Sequence, residues 1–448
     1  TFQKILASAV AAALLGVAAP ASAKLTDAEV ARLGADLTPM GAEKAGNADG
    51  TIPAWTGGLC APPAGWTPAQ GYTDPFASDK VLFTITKANA AQYKDKLTPG
   101  TLAMLAKYPE FKMNVYQTRR TACLPQEAYD DIKAMATKID LQGFGFTGGF
   151  SYTPFPIPKN GLEAIWNHVP RYLGGGVVRQ FNAFPVRSNG DFYKIATEER
   201  RVFFRNLDQA PDNLLGVFMS SFLAPATLEG TVFLVHEPTD PVKQTRSAWI
   251  YNAGQRRVRR APDLSYDNVN DGTEGLRTTD QFDAFNGAPD RYEWKLDGTK
   301  EIYVPYNSYK LSDKKLKYKE DIIRKFTPNA DLMRYELHRV WEVEANLKPG
   351  SRHIYAKRVF YLDEDSWTVL YEDAYDTRKQ LWRVSIHPLM QFYDAKVPWY
   401  RANIWHDLNN GSYLLSNLDN EIKTPWSFGD KAAWADFQPD SLRRSGTK

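Results

Sequence analysis

The chain has 448 residues, enough for one large β-rich domain or two ordinary ones, and 43% of them are hydrophobic, so a sizeable core can form. Its 55 basic and 52 acidic residues leave a net charge of +3, which gives no general electrostatic reason to expect nucleic-acid binding. Aromatic residues make up 13%, and such rings suit broad sheets as well as apolar or sugar-binding faces.

The first residues read as a secretory signal. Lys4 supplies the positive start, residues 5–19 an apolar run rich in Ala and Leu, and Ala21-Ser22-Ala23 a small-residue site with cleavage expected after Ala23. The run is short and stopped by Pro20, which argues against a membrane anchor. Residue 24 is Lys, so the lipid-anchoring Cys of bacterial lipoproteins is not signalled. The mature chain is therefore expected to be an exported protein of a bacterial periplasm. In that oxidising compartment its two cysteines, Cys60 and Cys123, read as one structural disulfide.

From residue 24 to about 158 the chain has little strand character. Thr26 is placed to cap a helix running to Leu33, with Asp27 and Glu29 in the first turn, where the macrodipole favours them. A Gly- and Pro-rich loop at 47–58 carries Trp55, expected to pack on the main body. Residues 87–96, 101–107 and 126–139 read as helices and 112–122 as a strand leading into Cys123. The glycines of 143–150 resemble a phosphate loop only superficially, because the Lys-Ser/Thr ending is missing. Asn160 caps a further helix that ends near Tyr172, before Gly174-Gly175-Gly176.

After that the chain changes character. Residues 177–184, 191–205, 214–223, 227–236, 244–251 and 255–260 read as strands separated by turn residues. A helical interruption is expected at 279–285, and strands resume at 292–296, 301–305, 337–345, 352–362, 367–375 and 381–387. The division that results is a signal at 1–23, a helical and loop extension at 24–175, and an antiparallel β domain at 176–448. The last three strands form the clearest meander, with turns at Asp363-Glu364-Asp365-Ser366 and Asp376-Thr377-Arg378. Alternation puts Trp367, Val369, Tyr371, Asp373 and Tyr375 on one face and Thr368, Leu370, Glu372 and Ala374 on the other. Apolar groups on both faces predict a mainly β (α+β) protein built on a large curved antiparallel sheet that is covered on both sides.

The chemistry-bearing residues are sparse. His168, His236, His338, His353, His387 and His406 are scattered, and His236-Glu237 is followed by Pro238, which denies it a helical zinc motif. No G-x-S-x-G elbow or C-x-x-C pair occurs, so neither catalytic residues, metal nor cofactor are assigned. The carboxylates of 363–365 are expected to be solvated in their turn. Glu342 and Glu344 share a strand face and would make a glycosidase pair only if the fold sets the carboxylate separation that reaction needs. The hairpin at 246–262 stands out. Its second strand carries Arg256, Arg257, Arg259 and Arg260, with Arg257 and Arg259 on one face. These either line a wet rim beside Asp263, Asp267 or Glu274, or meet an anionic headgroup or an acidic partner surface.

Three stretches resemble a known family. Y-N-A-G-Q-R-R-V-R-R-A-P at 251–262, L-T-P-M-G-A-E-K-A-G-N-A-D-G-T-I-P-A-W-T-G-G at 37–58, and R-V-F-Y-L-D-E-D-S-W-T-V-L-Y-E-D-A-Y-D at 358–376 are similar to the hallmarks of a bacterial domain-of-unknown-function family of exported proteins. Its members resemble the periplasmic lipoprotein carrier and its outer-membrane receptor (LolA/LolB-like). The resemblance implies a half-open β-barrel with helices lidding a hydrophobic cavity. It also implies work beside a resistance-nodulation-division (RND) type inner-membrane transporter and an outer-membrane β-barrel protein. On that basis the chain is expected to be a non-enzymatic carrier or chaperone for a lipid or other hydrophobic molecule. Trp249, Tyr251, Phe282, Phe285, Trp341, Phe360, Trp367 and Tyr371 are its expected cavity lining, and the four arginines its headgroup or docking site. The competing readings are a carbohydrate-active enzyme or sugar binder, and an envelope assembly factor without a ligand.

Overall fold

The computed structural model describes residues 24–446 with the exception of 242, 262, 263, 265 and 270, and the expected signal lies outside the described residues. One 16-stranded sheet forms the body. In chain order its strands are β1 (Phe83–Ile85), β2 (Met113–Val115), β3 (Gly176–Val186), β4 (Ile195–Phe203), β5 (Leu214–Ala224), β6 (Val232–Pro238), β7 (Ser247–Asn252) and β8 (Arg257–Arg260). They continue as β9 (Tyr292–Pro305), β10 (Tyr335–Leu347), β11 (Lys357–Asp363), β12 (Val369–Tyr375), β13 (Leu381–Ile386), β14 (Asn403–Asp407), β15 (Tyr413–Leu418) and β16 (Ser427–Phe428).

The lateral order is β1-β2-β10-β11-β12-β13-β14-β15-β3-β4-β5-β6-β7-β8, with β9 on β10 and β16 on β3. Pairing is antiparallel throughout except for one β2–β10 bridge between Val115 and Tyr335. Among the described residues β8 pairs only with β7 and β9 only with β10, so the sheet stays open. The protein is mainly β, a half-open sheet with few helices.

What fills the opening explains why it curls. Asp280 and Asp283, three residues apart in the connection between β8 and β9, hold Arg358 of β11 and Arg201 of β4. Those strands are six places apart in the lateral order and in a flat sheet would lie about 29 Å from each other. Curling around the connection brings both arginines onto it. The inner face also carries helix α4 (Gly161–His168), which follows α3 (Gln126–Met135) and which Asn160 caps by accepting from Glu163 N. Val359 and Tyr361 of β11 join the outer core while Phe360 and Leu362 join the inner one. The two-faced meander is thus a sheet wall between two cores, each buried by the hydrophobic effect on its own side. Helix α2 (Pro99–Lys107) contributes Met104 and Leu105 to the outer core.

Several expectations change in detail. The strands read at 292–296 and 301–305 are one strand, because Asp297-Gly298 forms a bulge, with Gly298 at φ +93°, and not a turn. The helix expected at 279–285 is a single 3-10 turn, Thr279–Gln281, and the rest of that connection is irregular. The strand expected at 112–122 is limited to β2. Beyond 387 no element was anticipated, yet β14 and β15 join the meander to β3 and make one sheet of two halves. Trp367 and Val369 go to the inner core while Tyr371 lies in the outer one, because the pairing of β12 with β11 shifts register between Val369 and Tyr371, with Leu370 as the extra residue. Thr26 forms the expected capping box with Glu29 on helix α1 (Asp27–Arg32). Cys60 and Cys123 are bonded, with Cα atoms 5.5 Å apart. Trp55 is half-buried and donates through Nε1 to Ala122 O.

Candidate functional site

The inner face of β3–β6 is not wholly filled. A cavity of about 110 Å³ lies between those strands and the connection 264–286. Cross-strand register explains why its wall is apolar. Phe218 of β5 sits opposite Val235 of β6, and Phe222, Phe233 and Phe181 continue the same face. Phe282 covers them from the connection and stacks on Phe218, centroids 5.3 Å apart. Ser220, Thr197, Thr273 and Ser416 add hydroxyls to the lining.

Beside this lies a second, wider cavity of about 500 Å³, lined by Phe144, Trp166, Leu215, Glu237, Tyr266 and Asp290 among others. Arg246 and Asn286 line both. Arg246 Nε donates to Glu237 Oε2 at 2.8 Å and its Nη2 to Asn286 Oδ1 at 3.1 Å, while Asn286 Nδ2 donates to Glu237 Oε1 at 3.3 Å. These three side chains form a polar partition between an apolar cavity and one whose lining also carries Glu237, Tyr266 and Asp290.

Charge around Phe282 is unequally paired. Asp283 takes Arg171 at 2.9 Å and Arg201 at 3.1 Å, and Glu199 takes Arg201 and Arg179 at 3.2 Å each. Burial opposes ionisation of Asp283, but the two guanidiniums hold its carboxyl well below the usual range. Arg277 projects at the cavity with no ion pair. No acceptor takes a hydrogen bond from its guanidinium among the described residues, and its Nε is shut off from solvent. It lies over the rings of Phe282, at 5.4 Å, and Trp405, at 5.3 Å. Two such contacts return about 1–4 kcal/mol, and because the residue is half-buried only part of the desolvation cost of a buried ion applies. Burial accordingly pulls the Arg277 pKa down to about 10, with Glu199 opposing.

The residues singled out in the sequence are dispersed by the fold. Of the eight expected lining residues, Phe282 lines the apolar cavity. Trp249 and Tyr251 face the other side of the sheet, where Tyr251 packs with Leu442 of the C-terminal helix α5 (Ser441–Gly446) and Trp249 against His236. Their register made this inevitable, because Trp249 pairs with Leu234 and the lining alternates with it at Phe233 and Val235. Phe285 and Phe360 pack on each other in the inner core, Trp341 stacks on Trp367, and Tyr371 donates to Tyr303 O in the outer core.

Arg256, Arg257, Arg259 and Arg260 are exposed on the sheet edge. Arg260 lies over Trp249, while Arg256, Arg257 and Arg259 form no ion pair among the described residues. The acidic neighbours anticipated for them are engaged elsewhere, Asp267 with Arg291 and Glu274 with Arg187, and Asp263 lies outside the described residues. Arg259 pairs with Ile250, which pairs with Phe233, so Arg257 and Arg259 extend the cavity face out to the open edge.

The carboxylates at 363–365 are not solvated. Asp363, Glu364 and Asp365 are all buried, because Arg120 embraces Asp365 through Nε at 2.9 Å and Nη2 at 2.7 Å, and Arg339 Nε reaches Glu364 at 2.8 Å. Burial and the neighbouring Asp365 push the Asp363 and Glu364 carboxyls upward. His338, Asp363 and Asp365 bring metal-ligand atom types within 4.8 Å. Asp365, however, is engaged by Arg120, and His338 Nε2 by Glu336 at 2.9 Å. Glu342 and Glu344 each have a lysine partner, Lys300 at 2.6 Å and Lys357 at 2.5 Å.

Fold and cavity together define a half-open β protein with an internal apolar cavity closed by an irregular connection. The model of the family "Protein of unknown function (DUF1329)" matches residues 84–443, and the chain belongs to that family. An uncharacterised protein of Pseudomonas aeruginosa is 49% identical over 453 residues, covering 99% of each chain. Among solved structures, a putative outer membrane lipoprotein-sorting protein domain from Vibrio parahaemolyticus is similar with a TM-score of 0.42 and 14% identity, over 60% of this chain and 92% of that one. A DUF1329 family protein from Desulfovibrio piger gives 0.41 and 14% over the same shares, and a LolA superfamily protein from Nitrosomonas europaea 0.39 and 10% over 63% and 100%. Among the described residues no helix is long and apolar enough to cross a membrane.

Proposed function

We propose that the chain is a periplasmic carrier that shields a lipid or other hydrophobic molecule inside its half-open sheet. The observation that carries this reading is the cavity walled by Phe181, Phe218, Phe222 and Phe233 and closed by Phe282. Removing apolar surface from water yields about 25 cal/mol per Å², so such a wall rewards an apolar guest. At about 110 Å³ the cavity accepts a short apolar segment, whereas sites for drug-sized ligands run to roughly 300–1,000 Å³. A longer chain requires the Arg246–Asn286–Glu237 partition to part, which joins the cavity to its neighbour of about 500 Å³. In this reading the exposed Arg256, Arg257 and Arg259 dock on an acidic protein surface. An RND-type transporter and an outer-membrane β-barrel protein are the partners that the family resemblance offers.

The test is native mass spectrometry with lipid extraction on protein purified from a periplasmic fraction without detergent. A hydrophobic mass retained at near one per chain is the expected result. A bare chain that also takes up no added lipid refutes the carrier reading.

A further inference from the structure

We propose that Arg277 is a headgroup site, and that the molecule held in the apolar cavity is an amphiphile whose carboxylate or phosphate pairs with this guanidinium. The inference rests on the carrier reading and gives it a ligand class. In the inner core next to Phe282, Arg171, Arg179 and Arg201 pair with two carboxylates, Asp283 and Glu199, while the cavity-lining Arg246 pairs with Glu237 and the cavity-lining Arg277 forms no ion pair among the described residues. The first three share those carboxylates and Arg277 has neither. A guanidinium stays charged at any physiological pH, so burial cannot be relieved by losing a proton. The Arg277 Nε is shut off from solvent and the side chain as a whole is half-buried at the cavity, so an anion from outside the chain can meet it there. The one acidic residue in the cavity lining, Asp271, is exposed and forms no ion pair with Arg277.

Geometry puts the two halves of such a molecule in register. The Arg277 guanidinium lies over Phe282, and Phe282 lies on Phe218, so a group bound at Arg277 leaves its tail against the phenylalanine wall.

The experiment is calorimetric titration of delipidated full-length protein with dodecanoate, dodecyl phosphate, dodecanol and inorganic phosphate. Wild type is expected to bind one or both anionic amphiphiles at least tenfold more tightly than dodecanol. Arg277→Gln is expected to reduce that preference below twofold while leaving dodecanol affinity unchanged. The exposed pair Arg257→Glu/Arg259→Glu, whose side chains support no core, is expected to keep the full preference. Equal binding of dodecanol and the anions by wild type overturns the headgroup assignment and leaves the carrier reading standing. Loss of the preference in the Arg257/Arg259 variant moves the headgroup to the hairpin and also overturns it. Inorganic phosphate binding as tightly as dodecyl phosphate makes this a site for a free anion, against the proposal. Failure of all three dodecyl compounds to bind refutes the carrier reading itself.

Discussion

Asp373 offers a test of how burial and charge are balanced in the outer core. Its carboxyl is fully buried on β12, where Oδ2 accepts from Gly100 N at 2.9 Å, at the start of α2, and Oδ1 has no partner. Burial raises its pKa from an ordinary 3.8 to about 7; the Gly100 N–H works against the rise, and Glu372 and Glu342 add to it. The folded state therefore keeps a proton that the unfolded chain releases near pH 4. Stability contributed by this site is highest below the unfolded pKa, falls as pH rises through the interval, and levels off above the folded pKa. At 1.36 kcal/mol per pKa unit the full loss is about 4 kcal/mol. Asn at this position keeps an acceptor for Gly100 and cannot ionise, so Asp373→Asn should escape the loss. Urea unfolding of both proteins at pH 5 and pH 8 measures it. The variant should gain about 2–3 kcal/mol more, relative to wild type, at pH 8 than at pH 5. A difference that does not depend on pH, or one that shrinks as pH rises, refutes the reasoning.

Two further perturbations probe the connection and the extension. Arg358 is fully buried between Asp280 at 2.7 Å and Glu372 at 2.6 Å, so Arg358→Met strands two carboxylates in the inner core. It should cost about 3–5 kcal/mol in urea unfolding, and a loss below about 1 kcal/mol would contradict this ion network. Cys60→Ser opens a crosslink between positions 63 residues apart and should cost about 4 kcal/mol on the chain-entropy estimate. Wild type and variant should then unfold alike in a reductant, and a gap that persists there would assign the loss to something other than the crosslink.

The sheet was legible where one strand carried its own evidence. Alternation at 358–375 announced a wall with two apolar faces, and the structure has cores on both sides of it. The Thr26 capping box was legible for the same reason, since its partners are three residues apart. Strands β14 and β15 were missed because N-I-W-H-D and Y-L-L-S-N-L are short and buried on both faces, which leaves no period to detect. The lining was misjudged at Trp249 and Tyr251 by one register position, and a period of two makes that error total.

Sequence alone settled what depends on neighbours along the chain: a mainly β protein, its meander, its first cap, and membership of a family recognisable from three contiguous motifs. Tertiary structure decided which charges are paired. Arg120 lies 245 residues from the Asp365 it holds, and Arg339 lies 25 from Glu364, so the burial of the 363–365 turn could not be read locally. Arg277 looks like any polar loop residue in T-E-G-L-R-T-T-D-Q. Its lack of a partner is a property of everything packed around it, because Coulomb energy depends on distance in space and on the local dielectric, and neither is written in the order of residues.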